Sequence, residues 1–207
     1  MNRLTVILHA GLVRLLKIVV WPVLRYFGPV TCVKGATLPK KGGVLIVANH
    51  ESVADPVVVQ YTCARPICFM AKAELFKRPV LSFVIRLFRT FIVEPNTSDI
   101  RAIRQAIDLL KAGEVVLVFP EGKINGESGA LLGFRKGVGL IARKSGATVI
   151  PCAIRHSRRV WAKPSWIPTG RHQMTVIWGK AYRFRVSDDN ETIATELRQE
   201  VSALLGR

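Results

Sequence analysis

Short apolar runs rich in valine and isoleucine punctuate the chain: VTCVKG at 30–35, GVLIVA at 43–48, ICFMAK at 67–72, TFIVE at 90–94, VVLVF at 115–119, TVIPCAI at 148–154 and MTVIWG at 174–179. β-Branched residues crowd these runs, and glycine, proline or charge bounds most of them, which predicts strands. Between them apolar residues return at intervals of three and four, predicting helices over 55–62, 79–88, 98–112, 136–145 and 190–205. The third shows the pattern best. Ile100, Ile103, Ile107 and Leu110 share one helical face, charge occupies the other, and Gly113 follows where a helix would stop. Strand alternating with helix predicts an α/β fold with a largely parallel central sheet flanked by helices.

The first 27 residues follow a different pattern. Leu4, Ile7, Leu8, Gly11, Leu12, Leu15, Leu16 and Val19 mark one helical face, with Arg3, Arg14, Lys17, Tyr26 and Phe27 around it. Basic residues interrupt the stretch before it reaches the ~20 apolar residues a spanning helix needs, and they sit where a signal peptide would keep its apolar centre. The pattern fits a helix lying in a bilayer interface, bent at Trp21-Pro22, and it also fits a helix packed on the domain's own core. The expected organisation is an amphipathic membrane-interface segment over 1–28 and one α/β domain over 29–207.

Composition agrees with one folded domain: 207 residues, 49% hydrophobic, without a low-complexity tract. Charge adds something the pattern does not contain. Thirty-one Lys and Arg against 14 Asp and Glu give +17. Residues 1–50 carry basic side chains and no acid, as do residues 151–185, whereas the last 22 residues hold five acids against two bases. Such a field favours a polyanionic partner: nucleic acid, an anionic membrane surface or a phosphorylated substrate. The four cysteines, Cys32, Cys63, Cys68 and Cys152, form no C-x-x-C pair and no zinc-ligand spacing with the four histidines, so they read as buried free thiols in a reducing compartment.

In parallel sheets ligands gather at the carboxyl ends of strands. After 44–48 the chain places Asn49, His50, Glu51 and, five residues beyond the histidine, Asp55; after 115–119 it places Pro120, Glu121, Gly122 and Lys123. An imidazole held by a carboxylate has a fixed orientation and changes charge near neutral pH, so His50 and Asp55 fit a general base with its orienting acid. They equally fit a packed histidine beside a helix N-terminal acid, and a single H-x-x-x-x-D does not separate the two.

The second strand end adds weight. NHESVAD at 49–55, FPEG at 119–122 and the apolar V-I-P at 149–151, in that order from about Gly42 to Ile154, resemble the glycerolipid acyltransferase family of the lysophosphatidate acyltransferase type. The resemblance implies transfer of a fatty acyl group from acyl-coenzyme A or an acyl carrier protein to a lysolipid hydroxyl, without an acyl-enzyme, a metal or a further cofactor. His50 and Asp55 would be the catalytic pair. Asn49, Glu121, Gly122, Lys123, Arg135 and Lys136 would meet substrate, although Glu121 also fits a loop acid satisfied by backbone N–H groups. Ser52, close by, would be no nucleophile, and no G-x-S-x-G elbow occurs. The implied partners are an anionic membrane surface, a lysolipid acceptor and the acyl-thioester donor, with no nucleic acid; the implied location is peripheral or monotopic on the cytoplasmic face.

The match departs from its family in one block. Where the family carries an arginine after an F-x-x-D-like strand end, this chain reads F-I-V-E-P, with Glu94 in the acid position and Pro95 in place of the arginine; after FPEG the usual T-R is Lys123-Ile124. The usual ligands of an acceptor phosphate are thus depleted. Arg89, Lys123, Arg135 and Lys136 are candidate substitutes, as well as candidate solvated charges, and a lysolipid with another head group becomes an expected acceptor. Two readings compete with acyl transfer. A nucleic-acid-binding protein would also be basic, and the interleaved cations and aromatics of 155–185 suit one, but no nucleic-acid motif accompanies them. A metal hydrolase at His50 lacks a second histidine near the first.

Overall fold

The computed structural model describes residues 11, 18, 21–22, 24–33, 35, 37–72, 91–93, 100–125, 130–162, 165 and 168–206. Most of the expected interface segment, the expected helix at 79–88, and Arg89, Glu94 and Pro95 lie outside them.

Among the described residues seven strands form one sheet: β1 (Val30–Val33), β2 (Val44–Ala48), β3 (Ile67–Lys72), β4 (Phe91–Val93), β5 (Val115–Val118), β6 (Thr148–Arg155) and β7 (Met174–Trp178), in the spatial order β1-β7-β6-β2-β5-β3-β4. All neighbours pair in parallel except β6 with β7. This agrees with a largely parallel sheet, and the antiparallel pair is the feature the apolar runs did not announce. The helices are α1 (Asp55–Thr62), α2 (Ile100–Lys111), α3 (Gly137–Ser145), the short α4 (Ser157–Val160) and α5 (Asn190–Leu204).

β2 is the centre. Every residue of VLIVA is fully buried, as a parallel strand covered on both faces requires. Val44, Ile46 and Ala48 face a core shared with α1, β1 and β7, where Val58, Val59, Val176 and Trp178 meet them. Leu45 and Val47 face the opposite core, built with α2, α3 and α5. The stripe that α2 buries differs from the expected one: Ala102, Ala106 and Leu110 meet the sheet, Ile103 and Ile107 flank them, and Ile100 at the first turn is 60% exposed. Pro151 lies on the side of β6 where the partner strand has left its regular ladder: Val149 and Tyr182 exchange N–H···O bonds, the Gly179 N–H reaches the Pro151 carbonyl, and the missing proline N–H falls beside the irregular 179–181.

The crossovers place the site. From β2 the chain passes through α1 on one face toward β3; from β4 it returns through α2 to β5, and from β5 through α3 to β6, on the other face and in the opposite direction. Opposite directions on opposite faces give one common hand. The loops after the adjacent strands β2 and β5 therefore part to opposite sides, which opens a crevice at their carboxyl ends.

Candidate active site

His50 leaves the end of β2 with a side chain 17% exposed, and its Nδ1 lies 2.9 Å from Asp55 Oδ2. The same oxygen accepts the backbone N–H groups of Glu51 at 2.7 Å and Ser52 at 2.8 Å. Asp55 is fully buried at the first turn of α1, and its other oxygen, Oδ1, has no hydrogen-bond partner among the described residues. With Oδ2 already accepting two N–H groups, the ring is assigned as a third donor to it, with the imidazole proton on Nδ1 and the lone pair on Nε2. Phe119, from the end of β5, stacks on the ring with centroids 4.0 Å apart and planes 14° from parallel. The ring is thereby held by a bond at one edge and by packing on one face.

The backbone of His50 is held too. Its N–H donates to Glu121 Oε1 at 2.8 Å, and its carbonyl accepts the N–H of Asn125 at 2.7 Å. Glu121 Oε2 accepts from Leu132 N at 3.1 Å, so this 5%-exposed carboxylate braces two loops through backbone N–H groups, as the loop-acid alternative had it. Burial pushes its pKa up, and the His50 and Leu132 N–H groups oppose that rise. From α5, Arg198 donates to the carbonyls of Leu132 and Leu131 and fixes the far side of the brace.

Asn49 occupies a different place from the expected substrate contact. It is 1% exposed, its Nδ2 donates to Ile154 O at 2.9 Å, and its Oδ1 accepts from Ile154 N at 2.7 Å. Both ends of the amide serve as a rung between β2 and β6. Gly122 turns at φ +72°, with its N–H on Phe119 O, and a Cβ there would lie 2.5 Å from the guanidinium carbon of Arg135. Arg135 is thus laid along the FPEG loop, which its own N–H also joins through Pro120 O at 3.0 Å. Lys123 is exposed beside Gly122, and Lys136 is exposed at the N-terminal cap of α3.

Ser52 is fully buried. Its hydroxyl donates to Trp161 O at 2.6 Å and accepts the Ala54 N–H at 3.0 Å, so no base is poised to activate it. Cys152, fully buried in β6, has its thiol pKa pushed well up by burial, then by Cys32, Cys63 and Asp55, and stays protonated at neutral pH. All four cysteines are free; Cys63, Cys68 and Cys152 are buried, and Cys32 is half-buried rather than buried as expected. Among the described residues no group of three or more His, Cys, Asp or Glu is placed to hold a metal ion, and no helix is long and apolar enough to cross a membrane.

The sequence had offered no sign of the parts played by Asn125, Leu132, Arg198 and Trp161. Each acts through a main-chain group or holds one, and main-chain bonding leaves no residue signature.

Comparison with known proteins meets this geometry. The acyltransferase family model matches residues 30–155, which span β1 to β6 and contain both His50 and Glu121. The 1-acyl-sn-glycerol-3-phosphate acyltransferase of Borreliella burgdorferi is 30% identical over 130 residues, 61% of this chain and 51% of that protein. The lyso-ornithine lipid O-acyltransferase of Pseudomonas aeruginosa is 32% identical over 117 residues, 56% of this chain and 44% of that one. The chain thus spans about half the length of these curated relatives. In fold it is similar to the 1-acyl-sn-glycerophosphate acyltransferase PlsC of Thermotoga maritima, with a TM-score of 0.74 and 24% identity over 94% of this chain and 81% of that one. With the family model covering more than half of its residues, the chain belongs to the acyltransferase family.

Proposed function

We propose that the chain moves a fatty acyl group from an acyl thioester, acyl-coenzyme A or acyl carrier protein, to a hydroxyl of a lysolipid at the cytoplasmic face of a membrane. One observation carries the reading: His50 Nδ1 lies 2.9 Å from a buried aspartate, and this leaves Nε2 as the basic nitrogen of a ring that keeps 17% of its surface exposed. In the reaction Nε2 takes the hydroxyl proton as the oxygen attacks the thioester carbon. The tetrahedral intermediate collapses, the C–S bond breaks, and the imidazolium returns the proton to the departing thiolate. Asp55 holds the ring in the working tautomer and offsets the positive charge that develops on it. Asn49 and Glu121 act on the base through its backbone, as positioning residues.

The head group is the open part of the specificity. Gly122, Lys123, Arg135 and Lys136 supply a turn and cations on the FPEG side, while Pro95 stands where the family's arginine is expected. The names of the two relatives bracket the choice, one specifying a glycerol phosphate acceptor and the other a lyso-ornithine lipid. A dianionic phosphate needs several charge-assisted donors to leave water, and a substituted or non-phosphate head needs fewer. The acceptor is accordingly a lysolipid whose head group is not a bare phosphomonoester, and Pro95→Arg shifts preference toward lysophosphatidic acid.

The test is acyl transfer by the purified chain on a panel of lysolipids with both kinds of thioester. His50→Ala should fold and lose about 10²- to 10⁴-fold in turnover. Near-normal turnover by the folded variant would remove the base from the mechanism.

A further inference from the structure

Residues 130–135 fold back along the FPEG loop, and three contacts fix them there. The Asn125 side chain donates to Ala130 O, the Arg135 N–H reaches Pro120 O at 3.0 Å, and Arg198 takes the carbonyls between. The first two come from the loop itself. The third comes from α5, which lies wholly beyond the family-matched span 30–155.

That third contact sets an orientation as well as a position. Arg198 donates from Nη2 to Leu131 O at 3.0 Å and from Nε to Leu132 O at 3.1 Å, so one edge of the planar guanidinium spans two consecutive carbonyls. Leu131 O and the Leu132 N–H belong to the same peptide unit, and in a trans unit the carbonyl oxygen and the amide hydrogen point opposite ways. With its oxygen drawn to the guanidinium, the unit aims its N–H at Glu121 Oε2, 3.1 Å away. Glu121 Oε1 in turn accepts the His50 N–H at 2.8 Å. One peptide thus stands between a cation and a carboxylate with its dipole aligned to both, and hydrogen bonds polarised in series strengthen one another. Leu131 is buried, and Leu132 and Arg198 are half-buried. Removing the guanidinium therefore leaves two carbonyls with restricted access to water.

A second arginine makes the same kind of contact at the other end of the sheet. Arg65 donates to the carbonyls of Pro39, Gly42 and Gly113, close before β2 and β5 begin, at the amino ends opposite His50. Both arginines tie loops through main-chain oxygens, and of the two only Arg198 leads to the His50 main chain. We propose that Arg198 is a positioning residue for acyl transfer: by orienting the 131–132 peptide it keeps Glu121 on the His50 N–H and the imidazole in its working place. This rests on the acyl-transfer reading and adds that the site is incomplete without α5.

Steady-state acyl transfer by the full chain, with Arg65→Ala as the control, tests it. Arg198→Ala should lose about 10- to 100-fold in kcat, the scale of a group misplaced by about 1 Å. KM for both substrates should stay within about twofold, since no substrate contact is removed. Guanidinium chloride far below denaturing concentrations should return part of that kcat, and sodium chloride at equal ionic strength should not. Arg65→Ala, which also orphans carbonyls, should lower the urea midpoint and leave kcat within about twofold. Amide hydrogen exchange reads the same tie without turnover. The His50 amide, taken relative to Ile46 in the middle of β2, should exchange about tenfold faster in Arg198→Ala and keep its ratio in Arg65→Ala. An unchanged kcat in folded Arg198→Ala, or equal kcat losses in the two variants, overturns the proposal. So does a raised KM for the lysolipid with kcat kept, which would put Arg198 on the substrate. If Arg198→Ala does not fold, Arg198→Lys, which keeps the charge and loses the fork, is held to the same kcat loss and the same exchange ratio. Should the wild type transfer no acyl group, the acyl-transfer reading fails, and the exchange ratio still decides whether Arg198 holds His50.

Discussion

Replacing Asn49 by alanine separates its two candidate roles. Its amide gives a donor and an acceptor to the carbonyl and N–H of Ile154, a residue with no exposed surface. Alanine leaves both main-chain groups buried and unpaired in the middle of the sheet. Each such orphan costs about 1–3 kcal/mol, so the loss is about 2–6 kcal/mol, a large part of the ~5–15 kcal/mol that holds a domain together. Urea unfolding followed by far-ultraviolet dichroism should show a lowered midpoint with an unchanged slope. Asn49→Asp sharpens the result. Its carboxylate still accepts the Ile154 N–H but opposes the Ile154 carbonyl, and when protonated it donates to that carbonyl again. The aspartate variant should therefore recover stability relative to the alanine variant as pH falls. A folded Asn49→Ala protein within about 0.5 kcal/mol of wild type, with a raised KM for the lysolipid, would refute the strand tie and return Asn49 to the substrate.

Three other substitutions read neighbouring bonds. Glu121 has its pKa raised above 4.5 by burial, so the native state holds that proton more tightly than the unfolded chain. Its contribution to stability is full below about pH 4.5 and is lost as pH rises through the folded value; Glu121→Gln should flatten that slope in unfolding midpoints across the mildly acidic range, and an identical slope would remove Glu121 as its source. Gly122→Ala should cost about 1–2 kcal/mol for the left-handed backbone and displace the flexible Arg135 side chain, visible as a lowered thermal midpoint; an unchanged midpoint would mean that the turn relaxes. Ser52→Ala orphans the Ala54 N–H and the Trp161 carbonyl at about 1–3 kcal/mol but should keep turnover below its melting range, whereas a folded variant without turnover would make Ser52 the nucleophile.

Most of the sheet was legible because its strands are buried on both faces and read as unbroken apolar runs. VLIVA and VVLV could be little else, and α1 begins and ends where the pattern placed it, at Asp55 and Thr62. The direction of β7 was not legible. MTVIW alternates buried and half-buried residues, which fixes a face and says nothing about whether the connecting stretch returns along the same edge. The four-residue α4 has no room for a helical period, and it sits in a run of arginines that reads as loop. At the site, His50 and Asp55 were legible because both lie in one motif and their bond is local. The tie from Asn49 to Ile154 was not legible because its partner is 105 residues away, and the Ser52 bond to Trp161 spans 109. An asparagine beside a candidate catalytic histidine reads as a ligand until the fold supplies a strand for it to bridge.

These distant bonds make one arrangement around His50. The N–H of His50 is held from the β5 loop by Glu121, its carbonyl from the same loop by Asn125, its ring from α1 by Asp55, and the preceding residue, Asn49, from β6 by the main chain of Ile154. Three elements that meet only in the folded sheet therefore fix the position of one imidazole. Acting as the proposed base, an imidazole held this way would spend little of its barrier on orientation. The same bonds make the site sensitive to substitutions that touch no substrate. Loss of Asn49 or Glu121 should appear chiefly in kcat, through a displaced His50, whereas loss of Lys123 or Arg135 should appear chiefly in KM for an anionic head group. The split between the two sets distinguishes a scaffold that positions the base from a pocket that recognises the lipid.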